Sequence, residues 1–113
     1  MAYLKNIPFE DPFRMADQVS VLPGQVVSKT LVQNGHVGIT VFAFSAGEEI
    51  STHASTGDAL VTVLEGRGSF TVDGNEYSLG EGESLVMPAG KPHAVYAPED
   101  FKMLLTVIFP ENQ

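Results

Sequence analysis

Short apolar runs separated by glycine and proline make up most of the chain, and their spacing predicts strands rather than helices. The runs are rich in β-branched and aromatic residues, which pack well on a pleated sheet. Seven prolines and eleven glycines fall mainly between them, where they favour tight turns. About ten strands and an all-β barrel or sandwich follow. The predicted strands are 25–33, 36–45, 50–55, 59–64, 69–72, 76–79, 84–87, 93–96 and 101–109.

Two turns are predicted directly from residue type. Asn34-Gly35 is expected to form a two-residue hairpin turn, and Asp73-Gly74-Asn75 is the clearest hairpin signal. Even turn spacing is typical of a small closed roll of two sheets. With 113 residues the chain is expected to form a single domain. Within it, residues 1–35 are predicted to form an N-terminal arm and first strand, and residues 36–113 the barrel core.

Charge and composition exclude several classes of function. The formal net charge is −8 and the few basic residues form no cluster, so we expect no nucleic-acid partner. No cysteine is present, which excludes disulfides and thiolate metal sites. The N-terminus lacks the apolar core of a signal peptide, and no apolar run approaches the length of a membrane span. We therefore expect a cytoplasmic protein with no membrane partner.

Two glycine-framed segments, each with one histidine, carry the most specific signal. The first has Gly47, then His53 after five residues, and closes at Gly66. The second has Gly82, Pro88-Ala89-Gly90 and then His93. Together they resemble the two-motif signature of the cupin family over about residues 36–109. The resemblance implies an all-β, double-stranded β-helix, that is, a jelly-roll cupin barrel.

The first motif departs from the family pattern at two positions. Cupins have His-x-His with a Glu four positions later, and those places hold Ser55 and Ala59 here. The resemblance implies a divalent metal such as Zn, Fe, Mn or Ni, but only His53 and His93 keep ligand positions. Asp58 is a candidate third ligand if a bulge turns it inward. The alternative for Asp58 is an exposed loop acid that caps nearby amides.

The ligand-binding prediction places His53, Ser55 and His93 in one pocket. A structural role for the histidines in the core is the alternative, and the acids of the turns are most simply solvated charge. Met87 and Tyr96 are expected to contribute to a largely apolar wall. Such a wall suits a small cyclic or aromatic compound, or else the apolar side chains simply fill the barrel.

Three functions remain open from the sequence. The first is a protein that binds a small molecule without a full metal site. The second is a metal-dependent enzyme of the oxygenase or isomerase type, with a reduced two-histidine site. The third is a non-catalytic dimeric scaffold. A homodimer is expected in any case, because exposed edge strands need to be covered.

Overall fold

Two antiparallel sheets packed face to face form the protein. The structure, a computed structural model, describes residues 2–110. Residues 1 and 111–113, which belong to the predicted N-terminal arm and barrel core, lie outside the described residues. Within the described residues there is one short 3₁₀ helix, Met15–Gln18, and nine strands. The strands are β1 Val26–Gln33, β2 Val37–Phe44, β3 Glu49–His53, β4 Asp58–Glu65, β5 Arg67–Val72, β6 Asn75–Gly80, β7 Ser84–Met87, β8 His93–Tyr96 and β9 Phe101–Ile108.

The strand order brings together residues that are distant in sequence. The five-stranded sheet has the order β1-β2-β9-β4-β7, and the four-stranded sheet has the order β3-β8-β5-β6. All the pairings are antiparallel. The prediction of an all-β roll is therefore confirmed. No helix among residues 2–110 is long and apolar enough to cross a membrane.

The core lies between the two sheets and is closed at one end by aromatic rings. Phe44 stacks on Phe101 with ring centroids 4.6 Å apart, and Phe70 meets Phe101 edge-on at 6.1 Å. All three side chains are buried. We call these three residues the aromatic plug. Phe101 begins β9 and Phe44 ends β2, so the other end of the roll holds the end of β9 and the start of β4.

The N-terminal arm covers part of the outer face of the five-stranded sheet. The Lys5 amide donates to the Leu31 carbonyl of β1 at 2.9 Å, and the Lys102 ammonium donates to the Ala16 carbonyl at 2.7 Å. A second apolar cluster forms beneath the arm, in which Val19 packs with Val41 and Ala43 of β2. The arm therefore extends the structure with a layer outside the roll.

The two predicted hairpin turns differ in outcome. Asp73 and Gly74 have φ of 50° and 84°, and Val72 pairs with Asn75, as a two-residue turn requires. The prediction for Asn34-Gly35 was wrong in length, because three residues separate β1 from β2. The Asn34 side chain accepts hydrogen bonds from the amides of residues 36 and 37 at 2.8 and 3.0 Å. This side-chain cap replaces the left-handed backbone of a two-residue turn.

Candidate functional site

His53 and His93 come together at the end of the roll opposite the aromatic plug. Their Cα positions pair between β3 and β8, after a register irregularity that follows Ile50. The two imidazole centroids are 4.4 Å apart and the rings meet edge to face. His93 is only 4% exposed, whereas His53 is exposed to solvent. Two side chains forty positions apart in sequence thus share one site.

Each ring is oriented by a backbone carbonyl. The Nδ1 atom of His53 lies 3.0 Å from the Ser51 carbonyl oxygen, and that of His93 lies 3.2 Å from the Lys91 carbonyl oxygen. A carbonyl oxygen can only accept, so a hydrogen bond here requires the proton on Nδ1. In a neutral imidazole, Nε2 then keeps its lone pair. Both rings are therefore set to accept a hydrogen bond, or to bind an ion, through Nε2.

Burial keeps His93 in its neutral form. Desolvation is the main cause that lowers its pKa below 6.5, and the neighbouring His53 lowers it further. The hydrogen bond to the Lys91 carbonyl opposes this shift in part, because it favours the protonated ring. The net effect is a buried histidine that acts as an acceptor at neutral pH.

A tight turn at Pro88–Lys91 provides the carbonyl that holds His93. The Lys91 amide donates to the Pro88 carbonyl at 3.2 Å, and Gly90 has a φ of +77°. A left-handed residue at the third position is what a type II turn requires, which explains the glycine. Two residues later the chain enters β8 at His93.

The same turn is tied to the first motif by two hydrogen bonds. The Gly90 amide donates to the Ser55 carbonyl at 2.8 Å, and the Ala89 amide donates to Asp58 Oδ1 at 2.9 Å. Ser55 also accepts from the Gly57 amide through its hydroxyl, at 3.1 Å. Residues of the degenerate motif thus hold the loop that orients His93.

These contacts correct the prediction that Asp58 could complete a metal site. β4 pairs regularly with β9 from Asp58 to Val63, with Asp58 opposite Ile108 and Ala59 opposite Val107. Ala59 faces the core, so Asp58 faces outward, since successive strand residues point to opposite faces. No bulge turns it inward. The carboxylate instead caps the Ala89 amide, which is the alternative that the sequence left open.

Ser55 and Tyr96 also lie differently from expectation. β3 ends at His53, so Ser55 is in the following loop and not on the same strand face as His53. Tyr96 is 45% exposed on β8, three residues from His93, and an odd spacing on a strand places the two side chains on opposite faces. Met87 is buried at the end of β7, opposite Ala59 on β4. The structure thus brings Met87, but not Tyr96, to the interior at the histidine end.

A three-ligand metal site of the kind that the family implies is not formed by these residues. Among residues 2–110, no group of three or more His, Asp or Glu side chains is placed to hold a metal ion. Two imidazoles remain, which is fewer than the three protein ligands of a typical catalytic zinc site.

An open hollow lies beside the histidine pair rather than between the imidazoles. It has a volume of about 210 Å³, below the ~300 Å³ at which small-molecule pockets begin. Its lining comes from the loops and strand ends beside the histidine pair: Thr56, Gly57, Asp58, Ala89, Ile108, Phe109 and Pro110. The histidine pair is the better candidate site, because two imidazole side chains converge there.

Comparison with known proteins identifies the family. The cupin domain family matches residues 40–109, which is more than half of the chain. The chain belongs to the cupin family. No match was found among curated proteins.

Solved structures are similar over most or nearly all of the chain. A conserved protein of unknown function from Streptococcus pyogenes is 46% identical, with a TM-score of 0.96 over 98% of this chain and 97% of that one. A cupin superfamily protein from Desulfitobacterium hafniense DCB-2 is 35% identical, with a TM-score of 0.91 over 96% and 100%. A DMSP lyase from Ruegeria pomeroyi DSS-3 is 20% identical, with a TM-score of 0.69 over 78% and 49%. This last similarity concerns the fold alone.

Proposed function

We propose that this cupin binds a small organic molecule at the histidine end of the roll, through Nε2 of His53 and His93. The observation that carries the proposal is the pair of rings 4.4 Å apart, each with Nδ1 against a backbone carbonyl. Lone pairs on two rings this close together suit a hydrogen-bond donor, such as a hydroxyl or an amide N–H. Buried apolar side chains such as Met87 suit the apolar part of such a ligand.

The proposed ligand class follows from the neutral state of His93. A ring held as an acceptor does not favour a carboxylate, which is itself an acceptor at neutral pH. The chain also has a formal charge of −8, and Lys91 near this end already pairs with Asp73 at 3.2 Å. We therefore expect neutral compounds with a phenolic or alcoholic hydroxyl to bind better than the matching carboxylic acids.

Thermal shift with matched phenol and benzoate fragments tests this proposal. At a free ligand concentration of 100 times Kd, binding adds about 2.7 kcal/mol to the free energy of unfolding, which raises Tm by several degrees. His53→Ala and His93→Ala should abolish the shift. His36→Ala is the matched control, because His36 is an exposed histidine beside the β1–β2 turn. Fragments that stabilise both site variants as much as the parent would contradict the proposal.

Imidazole NMR supplies an independent test of the geometry. In ¹⁵N-labelled protein, we expect both site rings as Nδ1–H tautomers, and ligand should perturb the Nε2 resonances of His53 and His93 but not those of His36. Nε2–H tautomers in both site rings would remove the basis of the proposal.

A reduced metal enzyme is the second candidate, and the observation that favours it is that the carbonyl contacts engage Nδ1 of both rings and leave the Nε2 lone pairs for an ion. A metal held by His53 and His93 would take its remaining ligands from water or substrate. Elemental analysis of untagged protein purified without chelator should then show about one Zn, Fe, Mn or Ni per chain. His53→Ala and His93→Ala would lose that metal. Absence of both metal and fragment binding would leave the scaffold role.

A further inference from the structure

The connection between β1 and β2 contains an asparagine whose side chain folds back over the peptide that follows it. The Oδ1 atom of Asn34 accepts hydrogen bonds from the amides of His36 and Val37 at 2.8 and 3.0 Å. Both amides come after Gly35 in the chain, so these bonds hold the Asn34 side chain across the intervening Gly35 peptide. Residues 34–36 are exposed, and water therefore reaches the turn.

The same two amides polarise the side-chain carbonyl of Asn34. N–H groups that point at a carbonyl oxygen stabilise the negative charge that develops there when a nucleophile attacks the carbon. The adjacent nucleophile in the chain is the backbone nitrogen of Gly35, once it has lost its proton. Gly35 has no side chain to hinder that nitrogen, and no other part of the protein crowds it, because an added Cβ would meet nothing within 4 Å. The turn thus combines an activated carbonyl carbon with an unhindered nitrogen.

We propose that Asn34 is a site of spontaneous deamidation in the folded protein. The Gly35 nitrogen gives its proton to water and forms a bond with Cγ of Asn34. The bond from Cγ to Nδ2 then breaks, and Nδ2 takes up a proton and leaves as ammonia, so that a cyclic imide remains. Water opens the imide at Cγ to give aspartate, or at the main-chain carbonyl carbon to give isoaspartate. The whole sequence consumes water and releases ammonia without oxidation or reduction.

The other asparagines within residues 2–110 lack this arrangement. Asn6 precedes the β-branched Ile7, and its Nδ2 donates to a carbonyl of β1 at 2.8 Å. Asn75 begins β6 and is followed by Glu76 on the same strand. In both cases the side chain of the next residue crowds the backbone nitrogen that would have to attack. Asparagine is a thermolabile residue in general, but here we expect the reaction at the Asn-Gly pair.

The two products differ in their effect on the turn. A carboxylate oxygen of aspartate can accept the same two amides, and hydrogen bonds to an ionised acceptor are stronger. Isoaspartate instead inserts an extra atom into the main chain and alters the path into β2. Either product adds one negative charge to the formal −8 of the chain. The Phe109 amide donates to the His36 carbonyl at 3.0 Å, so this change occurs at the histidine end of the roll.

Peptide mapping by mass spectrometry tests the proposal on the full chain, after incubation for several days at neutral pH in water enriched in ¹⁸O. The peptide that contains Asn34 should gain a carboxylate labelled with ¹⁸O. Its rate should exceed the rates at Asn6 and Asn75 by at least about tenfold, which corresponds to ~1.4 kcal/mol in the barrier. Gly35→Ala should slow the reaction at Asn34 by about tenfold or more, because the new methyl group hinders the attacking nitrogen.

The controls separate an effect of the turn from an effect of folding. Circular dichroism checks that Gly35→Ala folds, which we expect because the added Cβ meets open space and the φ of Gly35 is not left-handed. A parallel incubation in urea gives the rates in the unfolded chain. Deamidation of Asn34 in urea alone would show that the folded turn protects this side chain, and the proposal would be wrong. Equal rates at Asn34 and Asn75 in the folded protein, or an unchanged rate in Gly35→Ala, would also overturn it.

Discussion

A double-mutant cycle between Gly68 and Phe101 tests whether the aromatic plug is packed as tightly as the structure shows. A Cβ added at Gly68 would lie 2.7 and 2.8 Å from Cε2 and Cζ of Phe101, and 2.9 Å from Cε1 of Phe70. These ring atoms cannot move freely, because Phe101 is 1% exposed and stacks on Phe44 at 4.6 Å. Gly68→Ala therefore overfills a closed part of the core.

The expected energies follow from the two kinds of packing change. Gly68→Ala should lower the free energy of unfolding by about 1–3 kcal/mol through overpacking. Phe101→Ala should lower it by about 3–5 kcal/mol, because it removes a buried ring and leaves a cavity. In the double variant the added methyl no longer meets the Phe101 ring. The combined loss should then be smaller than the sum, by about 1–2 kcal/mol.

Urea unfolding followed by far-UV circular dichroism measures all four proteins of the cycle. Gly35→Ala is the control glycine, because nothing lies within 4 Å of its added Cβ and its φ is not left-handed. It should be additive with Phe101→Ala. If Gly68→Ala is additive with Phe101→Ala to within about 0.5 kcal/mol, the close packing of the plug is refuted. Phe101→Leu replaces Phe101→Ala if the alanine variants are too unstable to measure.

Three further predictions concern the site and its turns. First, burial and the adjacent His53 lower the pKa of His93 below 6.5, so the unfolded chain binds more protons than the folded chain as pH falls through 6.5. The free energy of unfolding, measured by urea titration from pH 8 to 5, should therefore decrease towards acid. The decrease should be less steep in His93→Gln, whereas His36→Gln should behave like the parent. Second, Gly66→Ala should destabilise the protein far more than Gly82→Ala. Both glycines have a left-handed φ, but only at Gly66 would the new Cβ overlap the Asp100 carbonyl. In thermal unfolding, Gly82→Ala should lower the free energy of unfolding by about 1–2 kcal/mol, and an equal loss in both variants would contradict this. Third, Ser55→His combined with Ala59→Glu restores the family's residue types, but residue 55 lies in the loop after β3 and not on the strand face of His53. Zinc should therefore raise the Tm of this variant no more than that of the parent, and a clearly larger shift in the variant would contradict the placement of residue 55.

The roll was predictable from sequence because strands and turns depend on local patterns. Glycine at position 74 allows the left-handed turn that joins β5 to β6, and the sequence predicted that turn. Asn34-Gly35 carries the same kind of signal but forms a longer connection. The Asn34 side chain caps two amides there, and residue type alone does not indicate which of two compatible turns the flanking strands select.

The site was predictable only in part, for reasons of strand geometry. Tyr96 is three positions after His93 on one strand, and this odd spacing means that its outward direction could have been inferred from the sequence. Ser55 could not be placed in this way, because its position depends on where β3 ends. The carbonyls of Ser51 and Lys91, which orient the two rings, are backbone groups and give no sequence signal beyond the turn that follows Pro88.

The first motif lacks two of the family's usual metal ligands, but it still contacts the second motif through hydrogen bonds. The turn at Pro88–Lys91 receives the Ser55 carbonyl and the Asp58 carboxylate as hydrogen-bond acceptors on two of its amides, and its own Lys91 carbonyl holds Nδ1 of His93. Asp58 thus acts on His93 through one loop, from outside the roll, without contact with the ring. A carboxylate next to a vacant ligand position need not be a substitute ligand. Here the Asp58 carboxylate holds the loop that orients His93. The proposed site therefore uses the imidazoles of His53 and His93 and not this carboxylate.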